Sequence, residues 1–397
     1  MNLAELSDKE FIEEIANRLL SIKAVSPKSD GKGEYEKSVE LKKILNEIGY
    51  NNVTDYNIKD NTGVVRPNIV LKIGNFGKTL WIICHIDTVP EGDIKLWKHE
   101  PYKATIEEDK IYGRGSEDNG QAIFTVLLLL RNLETEKMKI NLGIAFVSDE
   151  ETGNDYGIKY IINKDIFNKN DLIIVPDAGT NDGNIIETAE KTVMQLKFQI
   201  TGKQGHASMP ESSINAFREA SKFLDMMDFN LHEKFNNSDK LFIPPYSTFE
   251  PTKHEKNIDN VNTIPGTDVF YWDFRVLPQY SSKSVIDEID ELIAKFSKTS
   301  KAKIAYGVID LVDAPAPTSD SSEVVVKLKD AIRSTIKKEP FTIGIGGETF
   351  ASFLRSNGFS AAVWSTTAIE NAHMPDEFCL ISHIIQDLAV YKYLLYN

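Results

Sequence analysis

The apolar run Leu80-Trp81-Ile82-Ile83-Cys84 ends on His85, and Asp87 follows two residues later. Side chains alternate faces along a strand, so His85 and Asp87 point the same way at its carboxyl end. A carboxylate there can fix the imidazole tautomer and raise its basicity, the usual support of a metal-bound histidine. A surface ion pair is the ordinary alternative. The pattern recurs along the chain. The run 140–147 ends on Asp149-Glu150-Glu151-Thr152-Gly153, and the run 172–175 on Pro176-Asp177-Ala178-Gly179. Glu117 and Asp118 stand just before a helical stretch, and His373 comes late, in Asn371-Ala372-His373-Met374-Pro375. Strands alternating with helices predict an α/β sheet covered on its faces. Such sheets gather ligands at the carboxyl ends of their strands. Imidazoles and carboxylates converging there from separate segments suit a two-metal site.

A capping box, Ser7-Asp8-Lys9-Glu10, opens an amphipathic helix to about residue 22. Helices are also expected over 35–48, 120–133 and 156–162, and strands over 68–73, 80–84, 140–147 and 172–175. Near Glu187 the texture changes. Residues 192–202 alternate with period two, as in a half-solvated antiparallel strand. A helix over 213–227, an irregular Pro-containing stretch to about 266, a strand over 269–276, a helix over 284–296 and a strand over 303–311 follow. Ala314-Pro315-Ala316-Pro317 reads as a linker to a helix over 322–336, a Gly-rich turn and a last helix over 382–395. The expected organisation is a catalytic α/β domain in two parts, 1–188 and 314–397, interrupted by an α+β insertion at 189–313.

Charge and composition narrow the function classes. The 397 residues carry 45 basic and 59 acidic side chains, a net of −14. Such a surface repels nucleic acid and anionic lipid, so neither is an expected partner. The longest apolar stretch, 122–130, is half a membrane span. The opening MNLAELSDKE does not read as a basic-then-apolar leader, so no secretory signal is expected, and Cys84 and Cys379 make no disulfide framework. Reduced thiols and a cytoplasmic location are therefore expected. Two nucleotide motifs fail: residues 115–122 lack the Lys and Ser/Thr of a phosphate loop, and Asp118 replaces the third glycine of a dinucleotide fingerprint.

Taken singly, these pieces have plain readings, such as a solvated acidic turn or a loop histidine. In order, "HIDTVP", "GRGSEDNGQ", "SDEETG", "PDAGT", "GKQGHAS", "VNTIPG", "DFRVLP", "GGET" and "AHMPDE" resemble one family over nearly the whole chain. It is the dizinc amidohydrolase and metallopeptidase family of aminoacylase, acetylornithine deacetylase, succinyl-diaminopimelate desuccinylase, glutamate carboxypeptidase and di- and tripeptidases. The resemblance implies a zinc-peptidase-like α/β catalytic domain with an inserted ferredoxin-like α+β lid and dimerisation domain. It implies two divalent metal ions, zinc first, with cobalt or manganese as alternatives. Asp118 would bridge them, followed by a cis peptide; His85 and Asp177 would complete one site, Glu151 and His373 the other. Asp87 would orient His85, and Glu150 would be general base toward a water between the metals. His206 would donate to the oxyanion in a neighbouring subunit of a homodimer, with Asn262 as companion. Arg275, with Gly347, Glu348 and Thr349, would bind substrate. Without the resemblance, His206 reads as a turn histidine and Arg275 as half of a strand-end ion pair.

Two departures leave the substrate open. Relatives often carry three glycines, a threonine and an aspartate where this chain has Gly346-Gly347-Glu348-Thr349-Phe350. Asp177 stands where the deacylases usually carry Glu and the di- and tripeptidases Asp. Both favour a substrate with a positive or peptidic end, whereas length and element order favour the desuccinylase and deacetylase branch. The readings are a hydrolase of a small N-acyl amino acid, a dipeptidase or aminopeptidase on the same site, and a non-catalytic metal-dependent binding protein. The last predicts a missing ligand or base, and none is missing.

Overall fold

The computed structural model describes residues 2–397. Contacts divide the chain into two compact units. The larger comprises the chain up to Thr188, Pro317–Thr342 and Thr349–Asn397; the smaller comprises Ala189–Ala316 and Ile343–Glu348.

An eight-stranded sheet is ordered Thr54–Asp55, Ile69–Ile73, Asn141–Val147, Thr79–His85, Leu172–Thr180, Ala361–Thr366, Ile185–Glu190, Phe341–Ile345. Its centre is parallel: Asn141–Val147, Thr79–His85, Leu172–Thr180 and Ala361–Thr366 run together. His85 is level with Val147 in that register, so the carboxyl ends of neighbouring strands meet at one edge. Alternation along the strands feeds two cores. Leu80, Ile82 and Cys84 join one with Ile123, Leu127, Leu388 and Tyr391. Trp81 and Ile83 join the other with Ile158, Ile161 and Leu354. Both sheet faces are thus covered, which explains the near-continuous apolar strands.

Local chemistry sets these elements. Ser7 and Glu10 form the expected capping box at the start of the helix Asp8–Leu20. The helix Gln121–Arg131 is buried on every side from Gln121 to Leu130, hence apolar all round. Trp81 lies across from Gly143. A Cβ on Gly143 would come within 2.4 Å of the indole, so the ring needs a glycine opposite. The indole Nε1 donates to Asp171 (2.9 Å), whose other oxygen accepts the Thr79 N–H (2.9 Å). That buried carboxylate satisfies two donors at the amino end of the central strand.

The smaller unit runs strand Thr192–Thr201, helix Ala216–Lys234, strands Thr248–His254 and Thr267–Val276, helix Ser282–Phe296, strand Lys303–Val312. Its antiparallel sheet is ordered Thr248–His254, Thr267–Val276, Thr192–Thr201, Lys303–Val312. Two helices on four strands in this order is a ferredoxin-like α+β unit. Its own core includes Phe198, Phe223, Trp272, Phe274 and Ile289.

Several sequence expectations need correction. The stretch read as irregular holds the edge strand Thr248–His254, masked because Pro251 interrupts its pattern and its register breaks between Pro251 and Lys253. The helix expected over 213–227 starts at Ala216, capped by Asn215, and continues to Lys234. The strand expected to end at Val175 runs to Thr180, so Asp177 lies within it. The Gly-rich turn before the last helix includes strand Phe341–Ile345, helix Ala351–Ser356 and strand Ala361–Thr366. Cys84 and Cys379 are free and buried. Among the described residues, no helix is long and apolar enough to cross a membrane.

Candidate metal centre

His85 ends its strand with its side chain fully buried. Its Nε2 lies 2.7 Å from Asp118 Oδ1 and 3.3 Å from Asp177 Oδ1. On the other side Nδ1 is 3.2 Å from the Asp87 carbonyl and 3.4 Å from the Asp87 carboxylate. Asp118 occupies a non-helical turn within Ser116–Gly120, and the Asp118–Asn119 peptide is cis. The second Asp118 oxygen lies 3.0 Å from His373 Nε2, which is also 3.3 Å from Glu151 Oε1. Asp118 therefore touches both histidines. His85 with Asp118 and Glu151, and His85 with Glu150 and Asp177, each present donor atoms within 4.8 Å of one another.

The acidic loop is held from beneath. Each Asp87 oxygen accepts one backbone N–H, from Glu150 (3.1 Å) and Glu151 (3.0 Å). Asp87 thus supports Glu150 and Glu151 as directly as it faces His85, a role the sequence did not reveal. Losing it would orphan two N–H groups at about 1–3 kcal/mol each. Asp149 enters this loop at φ 65, a left-handed conformation costing about 1–3 kcal/mol for a non-glycine residue. Its carboxylate stabilises that turn: it accepts from Thr152 Oγ1 (2.6 Å) and the Tyr156 N–H (3.1 Å), and it pairs with buried Arg66 (3.2 Å). Arg66 also pairs with buried Glu34.

The electrostatics show a deficit of positive charge. Burial, then Asp177, raises Glu150 well above the carboxylate range. Burial and Asp118 push Glu151 up to about 7, and burial raises Asp177 despite His85. Burial also opposes ionisation of Asp118, but His373 and His85 outweigh it and hold that carboxyl low. Hydrogen bonds to Asp118 and Glu151 push His373 up to about 10. Burial pulls His85 down, but Asp118, Asp177 and Asp87 more than reverse it. Packed carboxylates and imidazoles with this sharing of protons fit a set of metal donors, whose oxygen and nitrogen atoms suit zinc, cobalt or manganese.

Sequence reasoning also missed Arg114 and Glu377. Both are buried and ion-paired, and Glu377 accepts the N–H groups of Glu117 (3.0 Å) and Asp118 (3.1 Å). Each lay in a motif already singled out, but only the fold shows what it touches.

In the smaller unit, His206 pairs across a two-residue ladder with Thr263, and the Ala207 N–H donates to the Asn262 carbonyl (3.0 Å). The structure therefore brings His206 and Asn262 together. The Ser208 N–H donates to His206 Nδ1 (3.2 Å), leaving the proton of the neutral ring on Nε2 as a donor. Arg275 is half-exposed. Its Nε and Nη2 hold Asp273 at 2.7 and 3.1 Å, and Nη1 donates to the Gly346 carbonyl at 3.0 Å. The strand ion pair thus exists, and it anchors the loop that carries Gly347 and Glu348. Thr349, buried, begins the next segment of the larger unit.

Residues 81–397 match the profile of peptidase family M20/M25/M40. The chain is 43% identical over 404 residues to a protein of Methanococcus maripaludis described as an uncharacterized metallohydrolase, covering 95% of this chain and 97% of that one. It is 24% identical over 392 residues to the succinyl-diaminopimelate desuccinylase of Pelagibacter ubique, covering 96% and 97%. Its fold matches an M20 family metallo-carboxypeptidase from Sulfolobus solfataricus with a TM-score of 0.74, at 19% identity, over 98% of this chain and 99% of that one. The chain belongs to peptidase family M20/M25/M40, and it is a metallohydrolase.

Proposed function

We propose that this metallohydrolase cleaves the amide bond of a small N-acyl amino acid, of the desuccinylase or deacetylase kind. The observation that carries the catalytic assignment is the convergence of His85, Asp118, Glu150, Glu151, Asp177 and His373 at one sheet edge. Full-length similarity to a desuccinylase supports the substrate class. His85 and Asp177 would hold one divalent ion, Glu151 and His373 a second, with Asp118 between; zinc suits these donors. Bound there, the ions polarise the scissile carbonyl and lower the pKa of water from ~16 towards ~7. Glu150, whose carboxyl is raised by desolvation and then by Asp177, takes the proton from the attacking water and returns it to the leaving amine. Asp87 keeps Glu150 and Glu151 in place through their backbone N–H groups. His206, a donor through Nε2, stabilises the oxyanion in a partner subunit, with Asn262 beside it. Strand Lys303–Val312 supports such a homodimer, because it is a sheet edge exposing Val308, Ile309 and Leu311. Arg275, with Gly347 and Glu348 on the loop it anchors, would bind substrate, and Thr349 is a further substrate-binding residue.

A second reading, dipeptidase or aminopeptidase, is favoured by Asp273. Its carboxylate offsets the charge of Arg275, and Glu348 adds another acid to the loop Arg275 anchors. Such an end accepts a cationic or peptidic group more readily than a second carboxylate. The deciding experiment is a mass-spectrometric hydrolysis assay of zinc-loaded protein on N-succinyl- and N-acetyl-diamino acids alongside simple dipeptides. Cleavage of the acylated compounds alone supports the first reading; cleavage of dipeptides alone replaces it with the second.

A further inference from the structure

The two histidines of the candidate centre are held in different ways. His85 ends a central strand of the large sheet. His373 lies in an irregular loop at φ 64, and its side chain is half exposed. Yet both histidine segments use the same device. Two residues after His85, Asp87 accepts two consecutive backbone N–H groups, those of Glu150 and Glu151. Four residues after His373, Glu377 does likewise for Glu117 and Asp118, both through Oε1. The other Glu377 oxygen pairs with Arg114 Nη1, and Arg114 Nη2 donates to the His373 carbonyl at 3.1 Å. The Gly113 N–H donates to the Glu377 carbonyl at 2.9 Å, and Phe378–Leu380 continues as a ladder on Lys110–Tyr112. Arg114 and Glu377 are both almost wholly buried, so the pair is little screened by solvent.

We infer that the Arg114–Glu377 pair is a positioning clamp that holds Asp118 and His373, and through them the ion shared by Asp118, Glu151 and His373. This rests on the ligand roles proposed above. His85 and Asp177 lie on sheet strands and keep their places without the clamp. The His373 loop has Arg114 on its carbonyl and Glu377 at its end, and Glu377 is also what holds the Asp118 peptide. Loss of the clamp should therefore weaken the ion that depends on both Asp118 and His373 more than the ion at His85 and Asp177, which shares only Asp118.

The test is zinc binding by the full-length protein, titrated against a chromogenic chelator. Glu377→Gln keeps the shape and an oxygen for the two N–H groups but removes the charge facing Arg114. Arg114→Lys keeps the charge but loses the fork that reaches both Glu377 and His373. Each variant should bind the ion at His373 ~10–100-fold more weakly, the usual loss when an outer-shell partner of a metal ligand is removed, and the ion at His85 with a clearly smaller loss. Melting of the chelated proteins checks that they fold; should Glu377→Gln not fold, Arg114→Lys decides. Two zinc ions bound as in the unmodified protein would overturn the clamp, and so would equal weakening of both. His373→Ala separates this from failure of the ligand assignment. If it leaves both affinities unchanged, the assignment itself is wrong; if it weakens the second ion while Glu377→Gln and Arg114→Lys do not, only the clamp is wrong.

Discussion

In the larger unit, Asp118, Glu150, Glu151 and Asp177 crowd around His85 and His373, with more carboxylate than the imidazoles can neutralise. In the smaller unit, His206 and Asn262 are exposed and Arg275 is half-exposed, already matched by Asp273. The first arrangement carries an excess of carboxylate that added cations would neutralise, and backbone hydrogen bonds fix the segments of Asp118, Glu150 and Glu151. The second is electrostatically content as it stands. The contrast fits the two tasks proposed for these residues. A metal centre needs rigid, desolvated donors whose mutual repulsion is relieved only by the ion. A substrate-recognising surface needs solvated groups able to exchange a protein partner for a ligand at little cost.

Four measurements would break or sharpen that contrast. Asp118→Ala should have the largest effect, because Asp118 touches both histidines: bound metal and turnover should both fall to background. Metal analysis showing two ions still bound would refute its bridging place. Glu150→Ala should lower turnover by ~10²–10⁴-fold with metal content retained, since it removes a base and no ligand assigned here. Near-normal turnover would remove Glu150 from that role. In the smaller unit, Asp273→Asn should free Arg275 and raise kcat/KM on substrates with a second carboxylate relative to those with a free amine, by ~10-fold for about 1.4 kcal/mol of altered binding. Melting should move little, because a half-exposed ion pair contributes only ~0–1 kcal/mol; an unchanged substrate ratio would make the pair purely structural.

The last effect is on stability rather than turnover and concerns Asp387, buried in the larger unit. Burial pushes its carboxyl up to about 8, although Thr366 and Gln121 hydrogen-bond to it. An upward shift means the folded chain keeps this proton after the unfolded chain has lost it. The Asp387 contribution is therefore fully present below about pH 4 and falls as pH rises towards 8, by no more than ~1.4 kcal/mol per pH unit. Asp387→Asn should remove this slope, and denaturant unfolding of both proteins between pH 5 and 8 measures it. Parallel curves would show that Asp387 ionises normally.

Much of the centre was legible in the chain because its chemistry is punctuated locally. His85, Asp118, Glu150, Glu151 and Asp177 each stand at or near the end of an apolar or helical run, where periodicity stops and titratable residues begin. The sheet edge that collects them follows from strand–helix alternation. His373 had no such flank and was placed only through resemblance. The strand Thr248–His254 was hidden by Pro251, and the strands between Phe341 and Thr366 by the glycines around them.

Residue order alone determined which central strands are apolar on both faces, that the chain opens with a capped helix at Asp8, and which acids and imidazoles stand at element ends. These are nearest-neighbour properties, set by side-chain periodicity and backbone capping. The tertiary structure decided that Asp87 holds Glu150 and Glu151, that Glu377 reaches Asp118 across about 260 residues of sequence, and that Arg275 is matched by Asp273. Those pairings depend on where separately folded segments come to lie in space, and a buried carboxylate accepts whichever donors packing delivers to it.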